Sequence, residues 1–208
     1  GPVNLDALAE YQEVETRYNF LQTQSADLEQ AVASLREVID ELDRVMEREF
    51  VTTFKAVAAK FKDEFAALFG GGSAKLMMTD PDNPTNTGIE IMARPPGKRE
   101  QGLALLSGGE RALTAAALIF SILKTRPTPF CVLDEVDAAL DEANVGRFRD
   151  AIKNLGKETQ FILITHNRGT IEAADTIYGV SMGPDHTSTT LSLKLDGKEL
   201  VAANAVEA

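Results

Sequence analysis

Residues 106–110 read LSGGE, and the apolar run RALTAAALIFSIL (111–123) follows at once. Glycine costs about 1 kcal/mol relative to alanine inside a helix, so two of them at the mouth of an alanine-rich helix need a reason. A helix N-terminus presents unpaired N–H groups and a partial positive charge, and both attract a phosphate. Glycines let an anion approach that backbone closely. Ser107 stands at the N-cap position, where its hydroxyl either caps the helix or meets such a ligand. The pentapeptide alone leaves the two readings level.

Working outward, PFCVLDEVDAALD (129–141) is an apolar strand that ends in two adjacent carboxylates, Asp134 and Glu135. Successive residues at a strand end point in different directions, so the two can do different work. One can hold Mg²⁺, which takes one or two carboxylates together with phosphate oxygens and water. The other can orient or deprotonate an attacking water. A third stretch, FILITHN (161–167), is another apolar strand, and it ends in His166. Ligands in open α/β sheets bind at the carboxyl ends of parallel strands.

The rest of the lobe frames these motifs. AKLMMT (74–79) and IEIMA (89–93) alternate like strands around the turn-rich DPDNPTNTG, and RPPGKREQG (94–102) is a polar loop. Helices are expected at about 109–124, 143–155 and 169–174, with a closing hairpin of TIYGVSM (176–182) and TTLSLKL (189–195). The alternation predicts an α/β lobe: a mostly parallel sheet with flanking helices, closed by antiparallel strands.

Upstream, residues 5–69 contain no Gly and no Pro, and Gly70-Gly71-Gly72 end the run. A seven-residue beat runs through Val14, Leu21, Leu28, Leu35 and Leu42, interleaved with Tyr18, Ser25, Val32, Ile39 and Met46. Only Ser25 is polar, which is a coiled-coil seam rather than a broad amphipathic face. If helical throughout, the segment is roughly 100 Å long. After Met46 the beat slips by one residue and turns aromatic, through Phe50, Phe54, Val57, Phe61, Phe65 and Leu68, and such a slip relaxes a supercoil. The expected organisation is a tag remnant at 1–2, a coiled-coil helix at 3–48, a globular lobe at 49–200 entered by the helix to about 69, and a disordered tail at 201–208. Nine apolar seam residues are worth ~1.5–3 kcal/mol each if buried, yet the chain holds no second heptad helix to cover them.

Composition narrows the function. The net charge is −11, with 7 Lys/Arg against 14 Asp/Glu in residues 1–69, so strong autonomous DNA binding is not expected. The single cysteine, Cys131, reads as a small buried strand residue in a reducing compartment. No Cys/His spacing suits zinc, no apolar run approaches membrane-spanning length, and no signal peptide is seen. A cytoplasmic protein without membrane contact is expected.

Order and spacing tie the three motifs together: a Ser-Gly-Gly helix start, a DE strand end about 27 residues later, and a His strand end about 31 after that. This arrangement resembles the latter half of an ABC-type P-loop ATPase. LLSGGERALTAAALIFSILKTRPTPFCVLDEVDAALDEANVGRF and THNRGTIEAADTIYGVSM closely resemble the C-terminal head segment of bacterial SMC (structural maintenance of chromosomes) proteins. The heptad helix and the GGGSAKL, TDPDNP and ARPPGKR stretches resemble the same family, so the likeness spans residues 4–196.

The resemblance implies a fold, the C-terminal lobe of an ABC-type ATPase head, and roles. Leu106, Ser107, Gly108, Gly109 and Glu110 would be the signature motif, which contacts the γ-phosphate of ATP held by an opposing head. Asp134 would be the Walker B magnesium residue, Glu135 the catalytic base, Asp141 the D-loop residue crossing the dimer interface, and His166 the switch histidine. ATP would be the substrate and Mg²⁺ the cofactor. The implied partners are the N-terminal half of the same head, a second head, a kleisin subunit and, through the assembled complex, DNA, at the nucleoid. A kleisin helix would lie along Glu10–Arg48 and its winged-helix domain near 188–195.

One absence governs this reading. No G-x-x-x-x-G-K-[ST] occurs: Gly97-Lys98 lacks a glycine five residues before and a Ser/Thr after, and GGGSAK also fails. The phosphate cradle must come from another segment. Orphan seam and absent cradle point to the same missing piece, so the isolated chain is expected to hydrolyse no ATP. Two other functions fit parts of the pattern. A double-strand-break repair ATPase has similar coiled-coil heads, but GTIEAADTIYGVSM and RPPGKR argue against it. A purely structural coiled-coil adaptor predicts no effect of Glu135 changes on any ATPase.

Overall fold

The long Gly- and Pro-free segment folds as one helix, α1 (Ala7–Phe69). The computed structural model describes residues 7–183, 186–196 and 199–203. The expected tag remnant at 1–2 and the first residues of the expected coil lie outside that range. The chain divides into two compact units between Thr52 and Thr53.

Among the described residues of the first unit α1 is unaccompanied. Every apolar seam position from Val14 to Met46 is exposed, between 47% at Val32 and 67% at Val14 and Leu28.

In the second unit the same helix becomes a core element. Its aromatic stretch buries Val57, Phe61, Phe65 and Leu68, with Phe65 and Phe69 stacked at 4.1 Å between ring centroids. Gly70 ends it at φ 69°, a conformation only glycine adopts cheaply. The Arg147 guanidinium caps the end, donating from Nε to the Leu68 carbonyl at 2.7 Å.

Three small sheets follow. β1 (Ser73–Met78), β2 (Ile89–Arg94) and the two-residue β3 (Gln101–Gly102) form an antiparallel sheet in that order. A 3₁₀ turn (Leu103–Leu105) leads into α2 (Gly108–Thr125). β4 (Phe130–Asp134) pairs in parallel with β5 (Gln160–Ile164) across the crossover helix α3 (Glu142–Leu155). After the single-turn α4 (Arg168–Ile171), β6 (Thr176–Met182), β7 (Ser188–Asp196) and β8 (Glu199–Ala203) form a second antiparallel sheet. β8 carries the backbone to Ala203, so the tail expected from residue 201 is in strand for its first three residues. Residues 204–208 lie outside the described range.

The mostly parallel sheet expected from the sequence is therefore corrected: among the described residues β4 and β5 are its only parallel pair. Parallel neighbours need a crossover of a dozen or more residues. Only α3 makes such a crossover within one sheet, because α2 leaves β3 in one sheet and delivers the chain to β4 in another. The connection between β1 and β2 (79–88) is turn-rich and carries no helix, which yields an antiparallel pair.

One buried cluster joins residues of α1, α2 and α3 with one face of the β4–β5 pair and with Ala74, Leu76 and Ala93 of β1 and β2. Phe120 of α2 stacks on Phe148 of α3 at 5.7 Å and meets the edge of Phe161 of β5 at 6.3 Å. Alternation puts Cys131, Leu133, Phe161 and Leu163 on that inner face. Phe130, Val132, Ile162 and Ile164 are left on the outer one, all about half exposed. Lys124, in the last turn of α2, pairs with the buried Glu64 of α1.

Candidate functional site

Ser107 adopts extended geometry (φ −63°, ψ 164°) and caps α2. The cap is reciprocal. Glu110 N–H donates to Ser107 Oγ at 3.4 Å, while Glu110 Oε2 accepts from the Ser107 amide at 3.0 Å and from its hydroxyl at 2.8 Å. This is a capping box, and its S-x-x-E signature is legible in the sequence. Glu110 is further held by Lys98 from the RPPGKR loop, Nζ to Oε1 2.8 Å. That lysine's hydrogen bond, above the other causes, lowers the Glu110 carboxyl below the ordinary glutamate range.

The two glycines separate. A side chain at Gly109 would place its Cβ 2.4 Å from the Ala139 carbonyl oxygen, so the first turn of α2 lies directly against the loop that follows β4. Gly109 is thus required by the fold. A Cβ on Gly108 would meet nothing within 4 Å, and Ser107 and Gly108 are both exposed while Leu106 is buried. Only at Gly108 does the missing side chain leave backbone open to an incoming group.

Asp134 ends β4 as an exposed residue opposite Ile164. The chain then turns sharply. Glu135 takes φ 46°, in the left-handed region, and its amide donates to the Ile164 carbonyl at 2.8 Å. A non-glycine residue there costs about 1–2 kcal/mol, and such outliers gather at functional sites. The turn sends the Glu135 carboxylate toward His166, Oε1 3.9 Å from Nδ1, with both side chains largely exposed. The structure therefore brings Glu135 and His166 together, at the carboxyl ends of neighbouring parallel strands.

Asp141 caps α3, its carboxylate accepting from the Asn144 amide at 2.8 Å and side chain at 2.9 Å. Between the strand end and this cap lies Asp137, which is buried and accepts from the Thr165 and Thr170 hydroxyls. Nothing in the local sequence separates it from its exposed acidic neighbours. Its burial is set by threonines about thirty residues downstream. Cys131 is partly buried, and desolvation pushes its thiol up, away from the thiolate form.

Among the described residues no cluster of three or more His, Cys, Asp or Glu could hold a metal. The donor set is one exposed strand-end carboxylate. That suits Mg²⁺ arriving with phosphate oxygens and water rather than an all-protein cage. Among the described residues no helix is long and apolar enough to cross a membrane.

Comparison with known proteins gives a consistent picture. The family described as RecF/RecN/SMC N terminal domain matches residues 7–189. The chromosome partition protein Smc of Bacillus subtilis (strain 168) is 53% identical over 196 residues, 94% of this chain and 16% of that protein. The chain thus spans about a sixth of that relative's length. A crystal structure of the Smc head domain from Pyrococcus furiosus, with an extended coiled coil and bound to the C-terminal domain of ScpA, superposes with a TM-score of 0.70 at 42% identity. It covers 91% of this chain and 48% of that one. A second solved chain, described under ATP-driven dimerization and DNA-stimulated activation of SMC ATPases, gives 0.64 at 46% identity, covering 72% of this chain and 90% of that one.

Proposed function

The chain belongs to the RecF/RecN/SMC family, and from that premise we propose that it is the C-terminal half of an SMC ATPase head. In this reading it serves chromosome condensation and segregation through ATP-gated engagement of two heads. The observation that carries the reading is the joint ending of β4 and β5, which sets Glu135 3.9 Å from His166 beside the exposed Asp134. The assignment to the C-terminal half rests on this chain's own residues, since it carries the LSGGE and DE motifs and no phosphate-binding loop. Two surfaces without a cover support it as well: the heptad seam, and the outer face of the β4–β5 pair, which a parallel sheet normally buries.

In the assembled head Glu135 takes the proton of the attacking water, or holds that water in line, and His166 sits within reach of the same volume. Asp134 would hold the Mg²⁺ that accompanies ATP, which neutralises phosphate charge. Ser107, whose hydroxyl proton goes to Glu110 in this structure, turns it instead to the γ-phosphate presented by the opposing head. Gly108 lets that phosphate reach the α2 N-terminus. Partners are the N-terminal half, which brings the cradle and the antiparallel coil strand, a second head, a kleisin on the coil flank and near 188–195, and DNA through the complex. A place at the nucleoid in the cytoplasm follows.

The test uses heads reconstituted with the N-terminal segment, scored separately for ATP binding, engagement and turnover. Glu135→Gln retains ATP and accumulates engaged heads while turnover falls roughly 10²–10⁴-fold. Ser107→Arg leaves ATP binding by a single head intact and blocks engagement. Loss of single-head ATP binding in Ser107→Arg would mean a site closed within one subunit and would overturn the engaged-dimer reading. Unchanged turnover in Glu135→Gln would favour a non-enzymatic adaptor.

A further inference from the structure

Glu135 and His166 do not hold each other. Their 3.9 Å separation exceeds a hydrogen bond, and both side chains are largely exposed. Something else must set their spacing, and the buried Asp137, on the loop that carries Glu135, bonds the segment that carries His166. We propose that Asp137 is a positioning residue that keeps His166 in register with Glu135; this deepens the ATPase reading above and rests on it.

Asp137 is 3% exposed. Its carboxylate accepts from Thr165 Oγ1 at 2.9 and 2.8 Å and from Thr170 Oγ1. These two threonines bracket His166. Thr165 precedes it directly, and Thr165 Oγ1 in turn accepts from the Asn167 amide at 2.9 Å. Asn167 caps α4 through Gly169 N–H at 3.0 Å. The whole 165–170 segment is thereby pinned to one carboxylate. On the other side, Glu135 stands two residues before Asp137 and is tied by its amide to Ile164. One backbone bond and one side-chain hub therefore fix both loops to each other at two points.

The energetics argue against mere space filling. Burying a carboxylate costs several kcal/mol unless it is hydrogen-bonded, and among the described residues no cation pairs with Asp137. A residue that only filled the volume would be cheaper apolar. A fully satisfied polar hub specifies one arrangement. The left-handed Glu135 is itself a conformation that persists only where surrounding structure over-determines it.

The experiment uses the full-length protein with complete heads. Asp137→Ala should lower kcat about 10–100-fold, the size of a displacement of ~1 Å at a reacting centre, with the KM for ATP and head engagement unchanged. Asp137→Asn should recover most of the rate, because its amide oxygen still accepts from one threonine while the other hydroxyl reorients. In a double-mutant cycle, Asp137→Ala with His166→Ala should be no slower than His166→Ala alone, since both remove the same contribution. Additive losses, a parallel fall in ATP affinity, or wild-type kcat in Asp137→Ala would overturn the proposal. Should Asp137→Ala not fold, Thr165→Val removes one donor and keeps the Thr170 bond; the same non-additivity with His166→Ala is expected, and an additive result counts against the role. Glu135→Gln run alongside separates the two ideas. If it turns over normally the ATPase reading falls, whereas an inactive Glu135→Gln beside a normal Asp137→Ala sinks only the positioning role.

Discussion

The two ends of α1 carry apolar patterns of comparable strength and opposite fates. From Val14 to Met46 nine apolar seam residues stand in solvent, whereas Phe61, Phe65 and Leu68 are at most 1% exposed. Propensity does not separate them, since both stretches are helical and free of Gly and Pro. The difference is what else the chain supplies. The aromatic stretch joins α2, α3 and the inner-face residues of β4–β5 in one buried cluster, and the heptad seam meets nothing among the described residues. The β4–β5 pair repeats the contrast within itself, with Leu133 inside and Val132 outside on the same strand. Where the chain provides both sides of an interface the core closes, and where it provides one side a regular apolar surface is left over. Regularity is the mark of an interface that some other segment completes.

The sharpest way to break that comparison is to truncate one residue from each end. Phe61→Ala should destabilise the second unit by about 3–5 kcal/mol, read from the urea midpoint of the isolated chain. Leu28→Ala should stay within about 0.5 kcal/mol of wild type there. Adding a complementary heptad segment should make Leu28→Ala costly, seen as weaker association. Equal costs for the two variants in the isolated chain would show that the seam is already covered and the contrast false.

A smaller effect tests the same idea at the α2 N-terminus, where one glycine faces the chain and its neighbour faces outward. Gly109→Ala forces a Cβ against the Ala139 carbonyl and should cost about 1–3 kcal/mol as overpacking. Gly108→Ala meets open space and should be neutral or stabilising by up to about 1 kcal/mol through helix propensity. In assembled heads Gly108→Ala should nonetheless weaken engagement. Comparable destabilisation by both variants would remove the distinction between a glycine needed for packing and one left for a ligand.

Local signals carried much of this structure in the sequence. The extents of α2, α3, β4 and β5 follow from apolar runs bounded by Ser107, Asp141 and the polar strand ends, because caps and periodicity act over a few residues. Sheet topology was not legible, since which strand neighbours which depends on long-range contacts; three small sheets stood where one mostly parallel sheet was expected. The candidate site shows the same divide. Glu135 and His166 were readable as strand ends, but Asp137 looks like any acid in DEVDAALD. Its burial is decided by Thr165 and Thr170, 28 and 33 residues away.

The least of the expected effects concerns Glu110, the only carboxylate among the described residues with a resolved downward shift, caused first by its hydrogen bond to Lys98. A carboxyl depressed by folding contributes stability that is fully present above its unfolded pKa and lost as pH falls through the folded one. The loss therefore falls below the ordinary glutamate value of about 4.3, on the acid side only. A carboxylate in the first turn of a helix is worth about 0.3–1 kcal/mol, and Lys98 is half exposed, so salt should shrink the effect. Glu110→Gln should accordingly melt below wild type at pH 7, with the gap closing as pH is lowered to about 3 at low ionic strength. Lys98→Met should move the wild-type loss to higher pH by removing the first cause of the shift. The capping box itself, through Ser107 Oγ, survives in the Lys98 variant, so its melting at pH 7 should change less than that of Glu110→Gln. A gap between wild type and Glu110→Gln that stays constant from pH 7 to 3 would mean that the charge on Glu110 plays no part. The gap would then come from the change of side chain rather than from its ionisation.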